Sequence, residues 1–309
     1  MGILIISPGR DLKRWTDALQ AEDPSVPLLF PDQVQNPDKI TFALAWDHPS
    51  GIFRNYPNLR CISSFGAGVD HLINDADIPP HIRFVRIIDP LLSNDMFEFT
   101  LAVVMKYLRK LSLYCRYQGK STWKKHAYLR MADVCIGVMG TGVIGNHVAT
   151  GLQKAGFRVC GWGRGPGRKT AYKRYHGRTQ LRDFLSSSNI LVNLLPLTSK
   201  TLGIINSNLL TSLPHGAYLV NLGRGAHVVE EDLIRAIDSG HVSGAHLDVF
   251  DPEPLPGHHP FWTHPGIDIS PHVASLTDPG SVAPQVMENY YRNMQNKPLM
   301  NMVSRELEY

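Results

Sequence analysis

One stretch limits the fold of this chain more than any other. Residues 134–139 read Val-Cys-Ile-Gly-Val-Met, and Gly140, Thr141, Gly142, Val143, Ile144 and Gly145 follow directly. The apolar run predicts a strand, and VIGNHVATGLQKAG, opening inside the glycine turn, has the spacing of an amphipathic helix. Residues 157–162, FRVCGW, predict the next strand. A bare GxGxxG recurs by chance, but strand, glycine turn, helix and strand in that order is what a dinucleotide site requires. The first glycine permits the tight turn, the second lets a pyrophosphate approach the backbone, and the third lets helix pack on strand. The unpaired N–H groups at the helix start then face the phosphates.

The same rhythm runs through most of the 309 residues, a length that suits two domains. Strands are expected near 3–6, 42–45, 61–65 and 83–88, with helices at 11–20 and after Pro49. From 134 onward six more are expected, at 134–139, 157–162, 190–195, 217–221, 244–250 and 267–270. Helical patterns at 143–155, 179–186, 206–212 and 230–239 separate most of them, so the fold class is α/β with parallel sheets. Two longer helical patterns, 96–113 and 284–294, bracket the second set and are expected to join two lobes. The expected division is 1–98 for a first lobe, 99–277 for a Rossmann dinucleotide-binding lobe, and 278–309 returning to the first. Helices at the boundary favour hinge motion over free tumbling.

Composition excludes several classes. With 43% hydrophobic and 19% charged residues the chain is neither disordered nor collagen-like. No apolar run approaches 18 residues, so no membrane span is expected. The start, MGILIISPGR, lacks a basic region and cleavage site, and Ile6 stands where a myristoylation motif needs Ser or Thr. Cys61, Cys115, Cys135 and Cys160 form no CxxC pair and read as thiols of a reducing compartment, so the expected location is the cytoplasm. His258, His259 and His264 lie on a Pro/Gly-rich loop at spacings that fit no standard ligand set, and no metal is expected.

The net charge of +4 is mild, but Arg164, Arg168, Lys169, Lys173, Arg174, Arg178 and Arg182 crowd one segment with no acid until Asp183. No nucleic-acid-binding motif accompanies them. Their position suggests another role. An NAD site usually ends its second strand with Asp or Glu, which binds the ribose 2′-hydroxyl. Here that place reads Gly161-Trp162-Gly163-Arg164, with Arg168 and Lys169 close by. A carboxylate repels a 2′-phosphate and a guanidinium pairs with it, so NADP(H) is favoured, with NAD(H) possible.

Three residues, each just beyond an expected strand, suit chemistry on an acidic carbonyl compound: Arg224 in NLGRGAHVV, Glu253 in LDVFDPEPLP and His272 in ISPHVAS. Ligands of open α/β sheets bind outside the carboxyl ends of the strands. An arginine offers a carboxylate a fork of donors. A histidine titrates in the range needed to protonate a carbonyl oxygen as hydride arrives. A glutamate beside it favours the imidazolium and fixes the ring. In the first lobe, Gly66, Ala67, Gly68 and Val69 follow a strand, and consecutive N–H groups around small residues form an anion nest.

In SSFGAGVDHL, GVMGTGVIG, the WGR turn, NLLPLT, NLGRGAHVVEEDLIRAI, GAHLDVFDPEPLP and SPHVAS, and in their order, the chain resembles the D-isomer-specific 2-hydroxyacid dehydrogenases, specifically the glyoxylate/hydroxypyruvate reductases. The resemblance covers nearly the whole length. It implies Arg224, Glu253 and His272 as the substrate-binding and proton-transfer set, with Asp248 near the nicotinamide. Leu195, Pro196, Gly223 and Ala274 would flank the cofactor, and Trp46 and Met96 would line the substrate pocket. It further implies a discontinuous flavodoxin-like substrate domain and a homodimer formed mainly through the cofactor lobes. Gly223 replaces a common alanine, and the insert Gly165-Pro166-Gly167 makes the phosphate loop unusual. Trp123 is expected either to reach across a dimer or to pack in a core. The implied activity is NADPH-dependent reduction of glyoxylate or hydroxypyruvate to a D-2-hydroxy acid. A reductase of a bulkier 2-oxo acid and a dinucleotide-sensing corepressor-like scaffold are the alternatives, and the complete triad argues against the latter.

Overall fold

Short apolar runs with no polar face become parallel strands covered on both sides. A computed structural model of the protein describes residues 2–167 and 169–309. By contacts the chain divides into two units, one from the chain up to Leu92 with Thr277–Tyr309, the other Ser93–Leu276. The first division thus falls inside the first turn of a helix that begins at Pro90, ahead of the expected 98/99.

The first unit holds a five-stranded parallel sheet. Its strands are β1 (Ile3–Ile6), β2 (Leu28–Leu29), β3 (Phe42–Ala45), β4 (Cys61–Ser64) and β5 (Arg83–Val85), ordered β2-β1-β3-β4-β5. That is the 2-1-3-4-5 order of the flavodoxin-like doubly wound fold. Helix α1 (Lys13–Glu22) packs with the C-terminal helix Pro279–Met294, while α2 (Asp70–Ile73) starts just past β4. The C-terminal helix starts earlier than the expected 284, because Asp278 caps it, accepting the Ser281 N–H at 3.0 Å, and Pro284 is carried inside. The helix expected after Pro49 is only a 3-10 turn, Ile52–Asn55.

The second unit is a seven-stranded parallel sheet. Its strands are β6 (Cys135–Met139), β7 (Arg158–Gly163), β8 (Lys173–His176), β9 (Ile190–Asn193), β10 (Ala217–Asn221), β11 (Val242–Leu247) and β12 (Ile267–Ile269). Their order is β12-β11-β10-β9-β6-β7-β8. The chain winds outward through β7 and β8, then returns to lay β9 on the other side of β6. The switch point therefore lies between β6 and β9, where a ligand crevice opens at the carboxyl ends.

The expected helix 96–113 is two helices, α3 (Pro90–Leu108) and α4 (Leu111–Gln118), separated where Lys110 turns left-handed at φ 55°. The crossovers are α5 (Val143–Lys154), α6 (Leu181–Ser186), α7 (Ser207–Thr211) and α8 (Glu230–Asp238). Phe184, Leu210, Leu233 and Phe261 fill one face of the sheet, and Val104, Val148, Leu152 and Phe157 the other. Edge strand β8 is absent from the sequence expectation, because Lys-Arg-Tyr-His carries a single buried apolar side chain, Tyr175. Trp123 is 93% exposed, which excludes the core placement. Among the described residues no helix is long and apolar enough to cross a membrane.

Candidate active site

The glycine turn leaves β6 at Met139. Gly140 sits at φ 97°, a left-handed region where a side chain is strained, and its N–H donates to the Trp162 oxygen at 2.8 Å. A Cβ on Gly145 would lie 1.7 Å from the Gly140 oxygen, so only glycine lets α5 begin this close to the turn. The N-terminus of α5 follows at Val143, which is exposed. Trp162, expected as a cofactor contact, follows at the end of β7. Its ring is buried in the sheet core and its indole N–H donates to the Gly177 oxygen at 2.9 Å, so the main chain faces the glycine turn. Arg164 and Lys169 are exposed, and Arg168 lies outside the described residues.

The turns after β9 and β10 are fixed by a buried polar network. The Asn193 amide donates to Asn221 Oδ1 and to His227 Nδ1, each at 2.9 Å, and all three side chains are fully buried. His227 Nδ1 also accepts the Arg224 N–H at 3.1 Å, which places the ring proton on Nε2, facing the Pro196 oxygen at 3.3 Å. Asn193 Oδ1 takes the Leu195 N–H and Asn221 Oδ1 the Gly223 N–H, each at 3.3 Å. Leu195, Pro196, Gly223 and Arg224 are thus held by groups that the sequence reading did not single out. Their only signal was a polar residue closing each apolar strand, in VNLL and VNLG.

Arg224 begins the 3-10 turn Gly225–His227 just past β10, and its Nη1 donates to the Gly223 oxygen at 2.9 Å. Glu253 follows β11, and its Oε1 accepts the Phe250 N–H at 2.9 Å. Its Oε2 lies 2.7 Å from His272 Nδ1. Partial burial pushes the Glu253 carboxyl up, but the hydrogen bonds from His272 and Phe250 and the charges of His272 and Arg224 outweigh it, and the group ends below its usual range. An ionised carboxylate only accepts, so Nδ1 carries a proton and donates it to Glu253, and Nε2 is the other ring nitrogen. The three residues expected from the sequence are therefore one electrostatic group.

His272 adopts φ 54°, a region uncommon for a side-chain-bearing residue. It is held there by Asp248, which is 1% exposed. The Asp248 main-chain oxygen accepts the His272 N–H at 2.7 Å, and its carboxylate accepts the Val273 and Ala274 N–H groups at 3.0 and 2.9 Å. Ser270 donates to that carboxylate at 2.5 Å and contacts His246 Nε2 at 2.9 Å. Burial, with Lys106 nearby, pushes the His246 pKa down to about 4, so this ring is neutral at ordinary pH.

The remaining expected residues fall elsewhere. Met96 is buried on α3. In the first unit, Trp46 packs against Gly66, where an added Cβ would meet its ring at 3.2 Å, and Arg10 stands over the same ring at 5.3 Å. The Gly66 N–H of the expected nest donates to Ser64 Oγ at 3.2 Å, and that hydroxyl donates to the Gly68 oxygen at 2.7 Å. His259 pairs with Glu230 at 2.9 Å and His264 with Asp238 at 3.2 Å, so these two rings point to different carboxylates.

Known proteins resemble this chain over its whole length. Residues 101–274 match the family described as D-isomer specific 2-hydroxyacid dehydrogenase, NAD binding domain. Over the full length of both proteins the chain is 37% identical to a glyoxylate/hydroxypyruvate reductase A of Photorhabdus laumondii subsp. laumondii. A D-isomer specific 2-hydroxyacid dehydrogenase of Xanthobacter autotrophicus Py2, solved with NADPH and MES, superposes with a TM-score of 0.94 at 35% identity, covering 100% of this chain and 99% of that one. An NADPH-dependent glyoxylate/hydroxypyruvate reductase of Sinorhizobium meliloti, solved with NADP and sulfate, gives 0.92 at 31% identity and covers both chains fully.

Proposed function

Because the chain belongs to the D-isomer-specific 2-hydroxyacid dehydrogenases, we propose that it reduces a small 2-oxo acid, glyoxylate or hydroxypyruvate, to the D-2-hydroxy acid with NADPH. The observation that carries the reading is the 2.7 Å contact between His272 and an ionised Glu253, with the Arg224 charge beside them.

The residues present fit a dinucleotide. The turn at Gly140 and Gly145 leaves no side chain between backbone and phosphate, and two buried polar atoms beside it, Thr141 Oγ1 and Arg174 Nε, have no hydrogen-bond partner among the described residues. When bound there, the reduced nicotinamide supplies the hydride. Arg224 holds the substrate carboxylate, and its planar fork fixes the plane of the adjacent carbonyl. His272 delivers the proton from Nε2 to the carbonyl oxygen, while Glu253 accepts from Nδ1 and fixes the ring. Asp248 holds the loop on which this imidazole stands.

The test is loss of NADPH absorbance on adding glyoxylate, hydroxypyruvate and a series of bulkier 2-oxo acids. Turnover of the two small acids supports the reading. Preference for a bulkier acid corrects the substrate, and binding of NADPH with no turnover of any 2-oxo acid favours the scaffold alternative.

A further inference from the structure

The basic residues after β7 are not equivalent in space. Arg164 and Lys169 are exposed on the connecting loop, whereas Arg174 is mounted on β8, hydrogen-bonded along β7, with Gly161 opposite Arg174 and Gly163 opposite His176. From there its guanidinium reaches back under the loop. A Cβ built on Gly167 would lie 2.4 Å from Arg174 Cζ and Nη2, so the group sits directly against that backbone. A Cβ on Gly163 would lie 2.7 Å from Thr141 Oγ1 and 3.4 Å from Arg174 Nη2. A hydroxyl from the glycine turn and a guanidinium from the neighbouring strand thus converge on one point, at the end of β7.

That point is where a dinucleotide fold meets the adenosine ribose, since an acid at the end of this strand ordinarily takes the 2′-hydroxyl. Here the position is Gly163, and the space is bordered by a cation and a hydroxyl. Both donors carry a buried atom, Arg174 Nε and Thr141 Oγ1, that lacks a hydrogen-bond partner among the described residues. Buried polar atoms left unpaired are costly and rare, and they mark a donor pair short of acceptors, the condition that an anion beside the guanidinium relieves. Mounting on a strand also limits the conformational freedom Arg174 loses on binding, which a loop side chain does not share.

We infer that Arg174, assisted by Thr141, is the principal clamp for the 2′-phosphate of the adenosine half of the cofactor, ahead of Arg164 and Lys169. This rests on the NADPH reading above and deepens it by assigning the discrimination to a residue of β8.

The full chain can be titrated calorimetrically with 2′,5′-ADP and 5′-AMP, which differ only in the 2′-phosphate. The expected result is tighter binding of 2′,5′-ADP by the unchanged protein. In Arg174→Met that advantage falls about 10- to 100-fold, the effect of losing a charge-assisted contact, with 5′-AMP and NADH affinity retained. Arg174→Lys, which keeps the charge and the β8 stem, is expected to lose part of the advantage and serves if the Met variant folds poorly. Equal weakening of both probes in Arg174→Met would overturn the inference, since it would mean that the residue only shapes the loop. An advantage intact in Arg174→Met but lost in Arg164→Met/Lys169→Met would also overturn it while leaving the NADPH reading standing. No preference for 2′,5′-ADP in the unchanged protein would overturn both.

Discussion

The main-chain oxygen of Asp248 accepts the N–H of His272 at 2.7 Å, and the carboxylate of the same residue takes the next two N–H groups of the loop. A buried acid thereby fixes the left-handed backbone of His272 without touching its ring. Ser270 and His246 stand behind it, so the lock reaches from the loop into the sheet.

Removing the hydroxyl from that lock leaves a buried carboxylate short of one donor, at a cost of about 1–3 kcal/mol. Ser270→Ala is expected to melt at lower temperature and to lose about ten-fold in kcat, with KM for the 2-oxo acid little changed. Ser270→Thr restores the hydroxyl and should recover most of the rate. Steady-state kinetics decide it: an alanine variant with unaltered kcat would show that Asp248 holds the loop unaided.

His272 combines the ring proposed to donate the proton with an uncommon backbone conformation, and two substitutions separate these. Asn tolerates φ near 54° better than Ala does. Both His272→Asn and His272→Ala should lose about 10²–10⁴-fold in the rate of reduction while still binding NADPH. In thermal melts His272→Asn should be the more stable of the two. Equal melting temperatures would mean that the loop relaxes once the ring is gone.

The pH dependence follows from Glu253, whose carboxyl is held below the usual value near 4.5. A group with a depressed folded pKa stabilises the protein above its unfolded pKa, and that contribution fades as pH falls through the folded value. The stability gap between the unchanged protein and Glu253→Gln should therefore be constant near neutrality and close below about pH 4.5. Thermal melts of both proteins over a range of acidic to neutral pH check it: a gap that stays constant well below that pH would mean that the hydrogen bonds of Glu253 do not depend on its charge.

Arg224→Lys keeps one charge but loses the planar fork. KM for the 2-oxo acid should rise by one to two orders of magnitude, on the scale of about 1.5–3 kcal/mol for a charged hydrogen bond, and kcat should fall with it. Cofactor affinity should hold. Unaltered kinetics in Arg224→Lys would mean that the fork serves the structure, through contacts such as that with the Gly223 oxygen, and not the substrate.

Gly145→Ala tests the dinucleotide turn, since its Cβ would meet the Gly140 oxygen at 1.7 Å and backbone cannot yield as a side chain can. Displacing α5 from the turn should abolish measurable NADPH binding and destabilise the protein by at least about 1–3 kcal/mol. Calorimetric titration showing normal NADPH affinity would mean the helix start tolerates the shift.

The sequence by itself determined the parallel sheets, because buried strands announce themselves as unbroken apolar runs, as in residues 3–6 and 135–139. It determined the dinucleotide turn too, since the glycine pattern is set by contacts among residues only a few positions apart. Arg224, Glu253 and His272 were legible because each is a titratable residue at the end of a strand. What it did not determine depends on pairing between distant segments. Strand β8 has no apolar signature, being an edge with one inward side chain, so the placement of Arg174 against Gly163 and Thr141 could come only from the folded sheet. The Asn193–Asn221–His227 and Asp248–Ser270–His246 networks likewise join residues that are adjacent only across neighbouring strands. A buried polar group is selected by the partners the fold brings to it, and those partners are not written beside it in the chain.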